Sequence, residues 1–173
     1  MRLTQHAAQT VARSACAALL AASLTVAPPA VLAVSGGGKD YSGYSLENED
    51  FSGKNLAGKE FRGIRGAGAI FKGANLGSTS FYKADLSNAD FSGADLTSAS
   101  LEEAGLDGVL LTGAVLESSY LTGSVSMAKD IKGADFSEAV MPSYTQKVLC
   151  GRADATGTNA KTGVDTRDSL MCP

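Results

Sequence analysis

Few side chains of this sequence could carry out catalysis. The only histidine, His6, lies in an N-terminal segment with the features of a removable signal. Without it, neither a Ser/His/Asp nor a Cys/His nucleophile set can be assembled. The adjacent carboxylates Glu102 and Glu103 would point in opposite directions on an extended chain, so we do not expect a joint acid–base role. We therefore predict that the protein is not an enzyme.

Bound metals and cofactors are not expected either. The C-terminal acids Asp154, Asp165 and Asp168 lack the spacing of a calcium-binding EF-hand loop. The glycine-rich stretch 63–68 lacks the GxxxxGK(S/T) pattern of a phosphate-binding loop. We interpret the three acids as solvated loop charges, and we predict no cofactor and no metal.

Cys150 and Cys172 are the two cysteines that follow the N-terminal segment. Two cysteines near one end of an exported chain favour a disulfide between them. Two alternatives stay open: free thiols in a reducing compartment, or a bond whose redox state regulates the protein. The two cysteines are too far apart for a Cys-x-x-Cys oxidoreductase motif.

Residues 1–33 have the order of a targeting signal. Arg2 and Arg13 precede an apolar run from Ala15 to Ala27, and a small residue, Ala33, closes the segment. This order predicts cleavage after Ala33. The run is too short to span a bilayer comfortably, so we expect no stable membrane insertion of the processed chain; a retained membrane helix is the alternative. Residues 34–40 are predicted to be a flexible leader.

Residues 41–141 carry an apolar side chain at almost every fifth position. The series runs from Leu46 to Met141, and only Gly66 and Ser126 interrupt it. A period of five fits neither a helix nor a strand, and a fixed short period indicates a solenoid. The net charge of −3 for the whole chain argues weakly against nucleic-acid binding, and we predict none.

Each apolar centre has similar neighbours. Ala recurs two residues before it, Asp or Asn one before it, and Gly two after it; the clearest copies are 74–76, 84–86, 89–91, 94–96 and 134–136. This pattern resembles the pentapeptide-repeat family, whose repeat is Ala-(Asp/Asn)-Leu-x-x. The resemblance implies an all-β fold, a right-handed quadrilateral parallel β-helix with four pentapeptides per coil. Residues 41–141 would then form about five coils, stacked ~4.8 Å apart.

Four repeats per coil place residues twenty apart in one column. Gly66 and Ser126 share a column, which predicts a local defect or bulge on that face. The phenylalanines of the first half fall on two opposite faces, where stacked rings can share the axis. The opening repeats carry Tyr44, Glu49, Lys54 and Lys59 where Ala is expected. Because unpaired charges do not fit a narrow interior, we expect the opening coil to be looser, splayed or a cap.

The fourth coil has an apolar belt at the position that is usually Asp or Asn. Its members are Leu110, Val115, Tyr120 and Val125. One interpretation is that the C-terminal tail folds back over part of the belt. A second is a candidate partner surface, and a third is ordinary scatter of surface apolar residues.

Residues 142–173 follow the repeat and are predicted to be a C-terminal cap. Residues 143–149 could form a short helix over the open end, and a cysteine-closed loop would follow. The stretches 150–159, 161–165 and 171–173 are similar to the tail of thylakoid-lumen pentapeptide-repeat proteins of plants and algae. That likeness implies a chloroplast thylakoid-lumen address; a bacterial periplasm or a cyanobacterial lumen is the alternative.

These expectations converge on a non-catalytic scaffold that presents a face to a lumenal protein of unknown identity. A redox-responsive lumenal regulator acting through Cys150 and Cys172 is one alternative. A DNA-mimicking gyrase inhibitor, as some pentapeptide-repeat proteins are, is another. We disfavour it because the acidic balance of the repeat is modest and basic residues are interspersed.

Overall fold

The computed structural model describes residues 40–173. The predicted signal and residues 34–39 of the predicted leader lie outside the described residues. Within residues 40–173, no helix is both long and apolar enough to cross a membrane.

The chain winds with a period of twenty residues between Asp40 and Val140. Isolated parallel β-bridges join residues twenty apart, from the pair Asp40 and Glu60 to the pair Tyr120 and Val140. Because turns interrupt the chain every five residues, each wall segment is too short to form a named strand. Asp40, which we expected in the leader, already takes part in this pairing, so the first coil begins one residue before the predicted boundary.

The same pair of backbone hydrogen bonds recurs between neighbouring coils. The Phe71 N–H donates to the Asp90 carbonyl (2.7 Å), and the Asp90 N–H donates back to the Ala69 carbonyl (2.9 Å). Ala69 and Phe71, two residues apart on extended chain, both point inward and are fully buried. A small residue beside a large one therefore fills the narrow interior at native density.

Two columns of aromatic rings fill the first half of the interior. Phe51, Phe71 and Phe91 stack with centroids 5.1 and 5.0 Å apart. Tyr41, Phe61 and Phe81 stack at 4.8 and 4.9 Å. Rings of different columns meet edge to face, a favoured geometry that contributes about 0.5–1.5 kcal/mol per pair. The predicted arrangement on two opposite faces is confirmed.

A turn, or corner, joins each wall segment to the next. In most corners the residue two positions after the apolar centre adopts a left-handed backbone conformation. Gly113 (φ 65°) and Ser118 (φ 56°) are typical. Asp or Asn next to the centre caps many corners: Asp85 Oδ1 accepts the Ser87 N–H at 3.1 Å and its hydroxyl at 2.7 Å. The Asp/Asn preference of the repeat thus has a local cause, because the side chain satisfies an N–H that the coil-to-coil bonds leave unpaired.

The predicted defect at Gly66 is absent. The coil there is regular, and Ile64, at the position usually occupied by Ala, is buried. A Cβ at Gly66 would lie 3.0 Å from Ile64 Cδ1 and 3.2 Å from Leu86 Cδ2. Ile64 therefore fills the volume that the missing Leu would have occupied, and the expectation of a bulge at this position was wrong.

A defect is present at Ser126. A 3-10 helix, Gly123–Met127, replaces the wall segment there. The Ala104 carbonyl, which in a regular coil would accept a backbone N–H, accepts instead the Ser124 hydroxyl (2.8 Å) and the Thr122 hydroxyl (3.3 Å). Hydroxyl side chains therefore satisfy the carbonyl that the irregular backbone leaves without its usual partner.

The opening coil is regular in its backbone, so it is not splayed. Its hydrogen bonds to the next coil have ordinary lengths, for example 2.7 Å from the Leu46 N–H to the Arg65 carbonyl. The Lys54 ammonium lies 4.8 Å from the Phe51 ring centroid, and the Lys59 ammonium lies 5.9 Å from that of Tyr41. The long side chains at the alanine position thus lie over the end of the aromatic columns instead of inside them.

Two helices follow the coils. Helix α1 spans Ser143–Cys150, and helix α2 spans Thr166–Ser169. Asp165 caps α2 by accepting the Arg167 N–H at 2.9 Å. Leu149 from α1 and Leu170 after α2 are buried in the same core as the coil interior. Apolar burial therefore joins the C-terminal segment to the coils.

Candidate partner-binding site

The predicted apolar belt is not a continuous surface. Val115 is 4% exposed and Val125 is 0% exposed, whereas Leu110 is half-buried and Tyr120 is 49% exposed. Val125 lies in the 3-10 helix, which turns its side chain into the core in place of Ser126. The belt prediction is therefore corrected: Val125 is a core residue, and Val115 is unavailable to a partner.

The tail covers the wall beside Val115. The Asn159 amide donates to the carbonyls of Gly113 (3.2 Å), Ala114 (3.1 Å) and Gly133 (2.9 Å). Further along, the Lys161 ammonium donates to the Gly93 carbonyl at 2.6 Å. Of the interpretations that the sequence left open, the structure supports the tail that folds back over part of the belt.

An arginine–aspartate pair holds the tail to the irregular coil. Arg152 Nη1 donates to the carbonyls of Ser126 (3.2 Å) and Ala128 (2.7 Å). Its Nε and Nη2 donate to the two Asp154 oxygens at 2.8 and 2.7 Å, and Asp154 in turn accepts the Ile131 N–H at 3.1 Å. The hydrogen bond from Arg152 holds the pKa of Asp154 below its ordinary value, against the opposing effect of burial.

Sequence reasoning missed this pair. No local pattern marks Arg152, because the carbonyls that it contacts belong to a coil segment more than twenty residues away. The interpretation of Asp154 as a solvated loop charge also changes, since the carboxylate is paired and accepts a backbone N–H.

A disulfide closes the tail. Cys150 and Cys172 are bonded, with their Cα atoms 5.5 Å apart and a sequence separation of 22. Near it, Arg167 Nη1 donates to the Cys150 carbonyl (3.0 Å) and Gln146 Nε2 donates to the Leu170 carbonyl (2.7 Å). The bond therefore links the end of α1 to the segment after α2.

Exposed apolar side chains concentrate near this end. Seven large hydrophobic residues are exposed in the described part of the chain, and six of them lie between Tyr120 and Met171. Five form what we call the C-terminal apolar surface: Tyr120, Val140, Tyr144, Val148 and Met171. Tyr120 and Val140 are paired across neighbouring coils. Val140 and Met171 line one cleft of about 220 Å³. Tyr144 and Val148 lie one turn apart on α1.

Acidic side chains in the described part of the chain are not gathered into a metal-binding group. Residues 40–173 contain no group of three or more His, Cys, Asp or Glu placed to hold a metal ion. Glu103 accepts the Tyr82 hydroxyl (2.9 Å) and pairs with Lys83 (3.5 Å), while Glu102 accepts the Ser100 hydroxyl at 3.4 Å. The two adjacent carboxylates thus have different partners.

Comparisons with known proteins agree on one family. Residues 74–113 match the model of pentapeptide repeats, in 8 copies. Thylakoid lumenal protein TL20.3 of Arabidopsis thaliana chloroplasts is 57% identical over 42 residues, which are 24% of this chain and 14% of that protein. The matched segment is therefore a small part of that relative.

Two crystal structures extend the comparison. A pentapeptide repeat protein from the Arabidopsis thaliana thylakoid lumen is 40% identical, with a TM-score of 0.71 over 76% of this chain and 90% of that one. A pentapeptide repeat protein from Nostoc PCC 7120 is 25% identical, with a TM-score of 0.52 over 61% of this chain and 87% of that one.

Proposed function

Because this chain belongs to the pentapeptide-repeat family, we propose that it is a non-catalytic scaffold of the thylakoid lumen that presents its C-terminal apolar surface to a lumenal protein. The rod is a right-handed quadrilateral β-helix of about five coils, and the disulfide-closed tail is its C-terminal cap. The twenty-residue bridge pattern and the buried Leu149 and Leu170 support this architecture.

The distribution of exposed apolar side chains carries the proposal. Large hydrophobic residues that gather at one end of a soluble domain are typical of interaction sites, whereas single scattered ones are ordinary. Tyrosine is enriched among residues that dominate binding energy, and Tyr120 and Tyr144 are both exposed here. The lumenal location is supported by the two Arabidopsis relatives, which are thylakoid lumen proteins.

Affinity capture from isolated thylakoid lumen tests the proposal. The variant Tyr120→Ser/Val140→Ser is expected to fold, because both side chains are exposed, and to lose a binding protein that the wild type retains. The control is Tyr44→Ser, which removes an equally exposed tyrosine (50%) from the opposite end of the coils. If the double variant keeps every interactor, the surface does not bind the partner.

A redox-responsive regulator is the second candidate. The observation that favours it is the disulfide, whose two cysteines are half-buried and so within reach of solvent. Treatment with thioredoxin-type reductants, followed by thiol labelling, measures whether the bond opens while the coils stay folded. A bond that stays closed in light, in darkness and under these reductants ends this candidate.

A further inference from the structure

A cleft of about 480 Å³ opens on one side of the disulfide, and we call it the disulfide cleft. Helix α1 contributes Lys147 and Cys150 to its lining, and the segment around α2 contributes Arg167 and Met171. Cys150 is therefore reached from the cleft, whereas Cys172 does not line it. Both cysteines are half-buried, so access through the cleft distinguishes two sulfurs that are otherwise similarly covered.

Positive charge surrounds this cleft. Among residues 40–173 no Asp or Glu side chain lines it, whereas Lys147 and Arg167 do. Arg167 is held beside the bond, because its Nη1 donates to the Cys150 carbonyl (3.0 Å) and its own carbonyl accepts the Cys172 N–H (3.0 Å). Its Nη2 donates to a Pro173 oxygen (3.4 Å), while the Lys147 ammonium has no carboxylate partner in the described part of the chain. Nearby positive charge favours the thiolate, which is the attacking and the departing form of a thiol.

The two sulfurs belong to segments that are held differently. Cys150 ends α1 and follows Leu149, which is fully buried in the core. Cys172 follows Met171, whose side chain is 77% exposed. In thiol–disulfide exchange, one sulfur takes up the attacking thiol and the other leaves as a thiolate. A sulfur on the less constrained segment separates more readily, so Cys172 is the better leaving group.

We infer that the disulfide cleft is the site at which a dithiol reductant opens the bond, by attack on Cys150 and release of Cys172. The thiolate of the reductant bonds to Cys150 Sγ, the bond between the two cysteines breaks, and Cys172 departs as a thiolate. The second thiolate of the reductant then attacks the reductant's own sulfur in the mixed disulfide and releases Cys150. Two electrons pass from the reductant, which becomes a disulfide, and its two protons end on the two cysteines. This inference rests on the redox-responsive candidate and names its site.

The release of Cys172 reaches the C-terminal apolar surface. Met171 belongs to this surface and lines, with Val140, the neighbouring cleft of about 220 Å³. Cys172 anchors the chain directly after Met171, so its departure frees Met171 on that side. Tyr144 lies on α1, whose cysteine keeps its place. Reduction therefore changes one part of the surface and leaves the other part in position.

A thioredoxin whose second active-site cysteine is replaced by serine traps the mixed disulfide with the full processed chain. Mass spectrometry of the trapped peptides is expected to find about tenfold more adduct on Cys150 than on Cys172. More adduct on Cys172, equal amounts on the two cysteines, or no adduct while intact thioredoxin opens the bond overturns this inference alone. A bond that intact thioredoxin leaves closed overturns the redox-responsive candidate as well.

The charge of the cleft is tested with Lys147→Gln, which keeps the fold because the side chain is exposed. The rate at which intact thioredoxin opens the bond is expected to fall about threefold at low salt. Lys72→Gln is the matched control: it makes the same charge change on an exposed lysine of an early coil, and an unchanged rate is expected. Equal rates in the wild type and both variants overturn the placement of the attack in this cleft.

Methyl NMR of the methionines follows the release step. The Met171 methyl resonance is expected to shift and sharpen on reduction, whereas that of Met127, which is 63% exposed on the 3-10 helix, should stay unchanged. An unchanged Met171 resonance in the fully reduced protein contradicts the release. Because the scaffold proposal concerns the oxidised chain, failure of any of these tests leaves that proposal standing.

Discussion

Ile64 and Gly66 together occupy the volume that Ala and Leu occupy in a regular repeat. The five-residue pattern predicts a local defect or bulge at Gly66, because it considers each position separately. The structure shows instead that the neighbouring inward position compensates, with Ile64 Cδ1 where a Gly66 side chain would begin. Two residues that share one space must be considered as a pair.

This pairing predicts strong coupling between substitutions. Ile64→Ala should lower the free energy of unfolding by about 2–5 kcal/mol, because it leaves a cavity in the core. Gly66→Leu alone should also destabilise, by about 1–3 kcal/mol, since its Cβ would already be tight against Ile64 and Leu86. The double variant restores the regular Ala and Leu pair, so most of the loss should be recovered.

Urea unfolding of the two single variants and the double variant measures this coupling. A double variant whose destabilisation equals the sum of the two single values would show that the two positions do not share one space.

The contacts of Arg152 predict a second residue-scale effect. Arg152→Ala leaves the Ser126 and Ala128 carbonyls and Asp154 without their partner, and should destabilise by about 1.5–3 kcal/mol near neutral pH. The pKa of Asp154 is lowered in the folded state. The ionised carboxylate therefore adds to the free energy of unfolding, and this stabilisation is fully present above the unfolded-state pKa, about 3.9. It is lost as the pH falls through the lower folded-state pKa.

The difference between wild type and Arg152→Ala should therefore shrink in acid, measured by urea unfolding at neutral pH and at about pH 3. Arg62→Ala is the control: its pair with Glu60 has the same 2.7 Å distance but is exposed, so about 0–1 kcal/mol is expected. Equal effects of the two arginine variants would contradict the role given to Arg152.

At the scale of elements, the tail is bound to the coils by side chains that have no counterpart in the repeat. A helix was expected at 143–149, and the structure has α1 at Ser143–Cys150. The disulfide was also expected. The docking of the tail through Asn159 and Arg152 was not, because it depends on distant carbonyls that no local pattern marks. The 3-10 helix at Gly123–Met127 was anticipated only as an unspecified defect.

Removal of the disulfide should loosen the tail and spare the coils. Cys150→Ser/Cys172→Ser opens a loop of 22 residues and should lower the free energy of unfolding by about 3 kcal/mol. Hydrogen exchange should accelerate in α1 and α2, while amides of the Phe61–Leu101 coils keep their protection. Acceleration spread evenly over coils and tail would show that the tail does not behave as a separate element.

At the scale of the whole molecule, the regular repeat could be predicted from the sequence and the irregular parts could not. Each repeat meets nearly the same surroundings as the next, so the period, the columns and the aromatic stacks could be predicted from position alone. The candidate partner surface could not, because the burial of Val115 and Val125 depends on the tail and on one irregular turn. Of the predicted belt, only Tyr120 is exposed and Leu110 is half-buried, while Val115 and Val125 are buried.

The central claim is that the C-terminal apolar surface binds a lumenal protein, and site-specific photo-crosslinking in isolated lumen tests it directly. A benzophenone amino acid replaces Tyr120 in one variant and Tyr44 in another, since the two tyrosines are equally exposed at opposite ends. We predict one recurrent adduct from position 120 and none from position 44. No adduct from position 120, or the same adduct from both positions, would contradict the account.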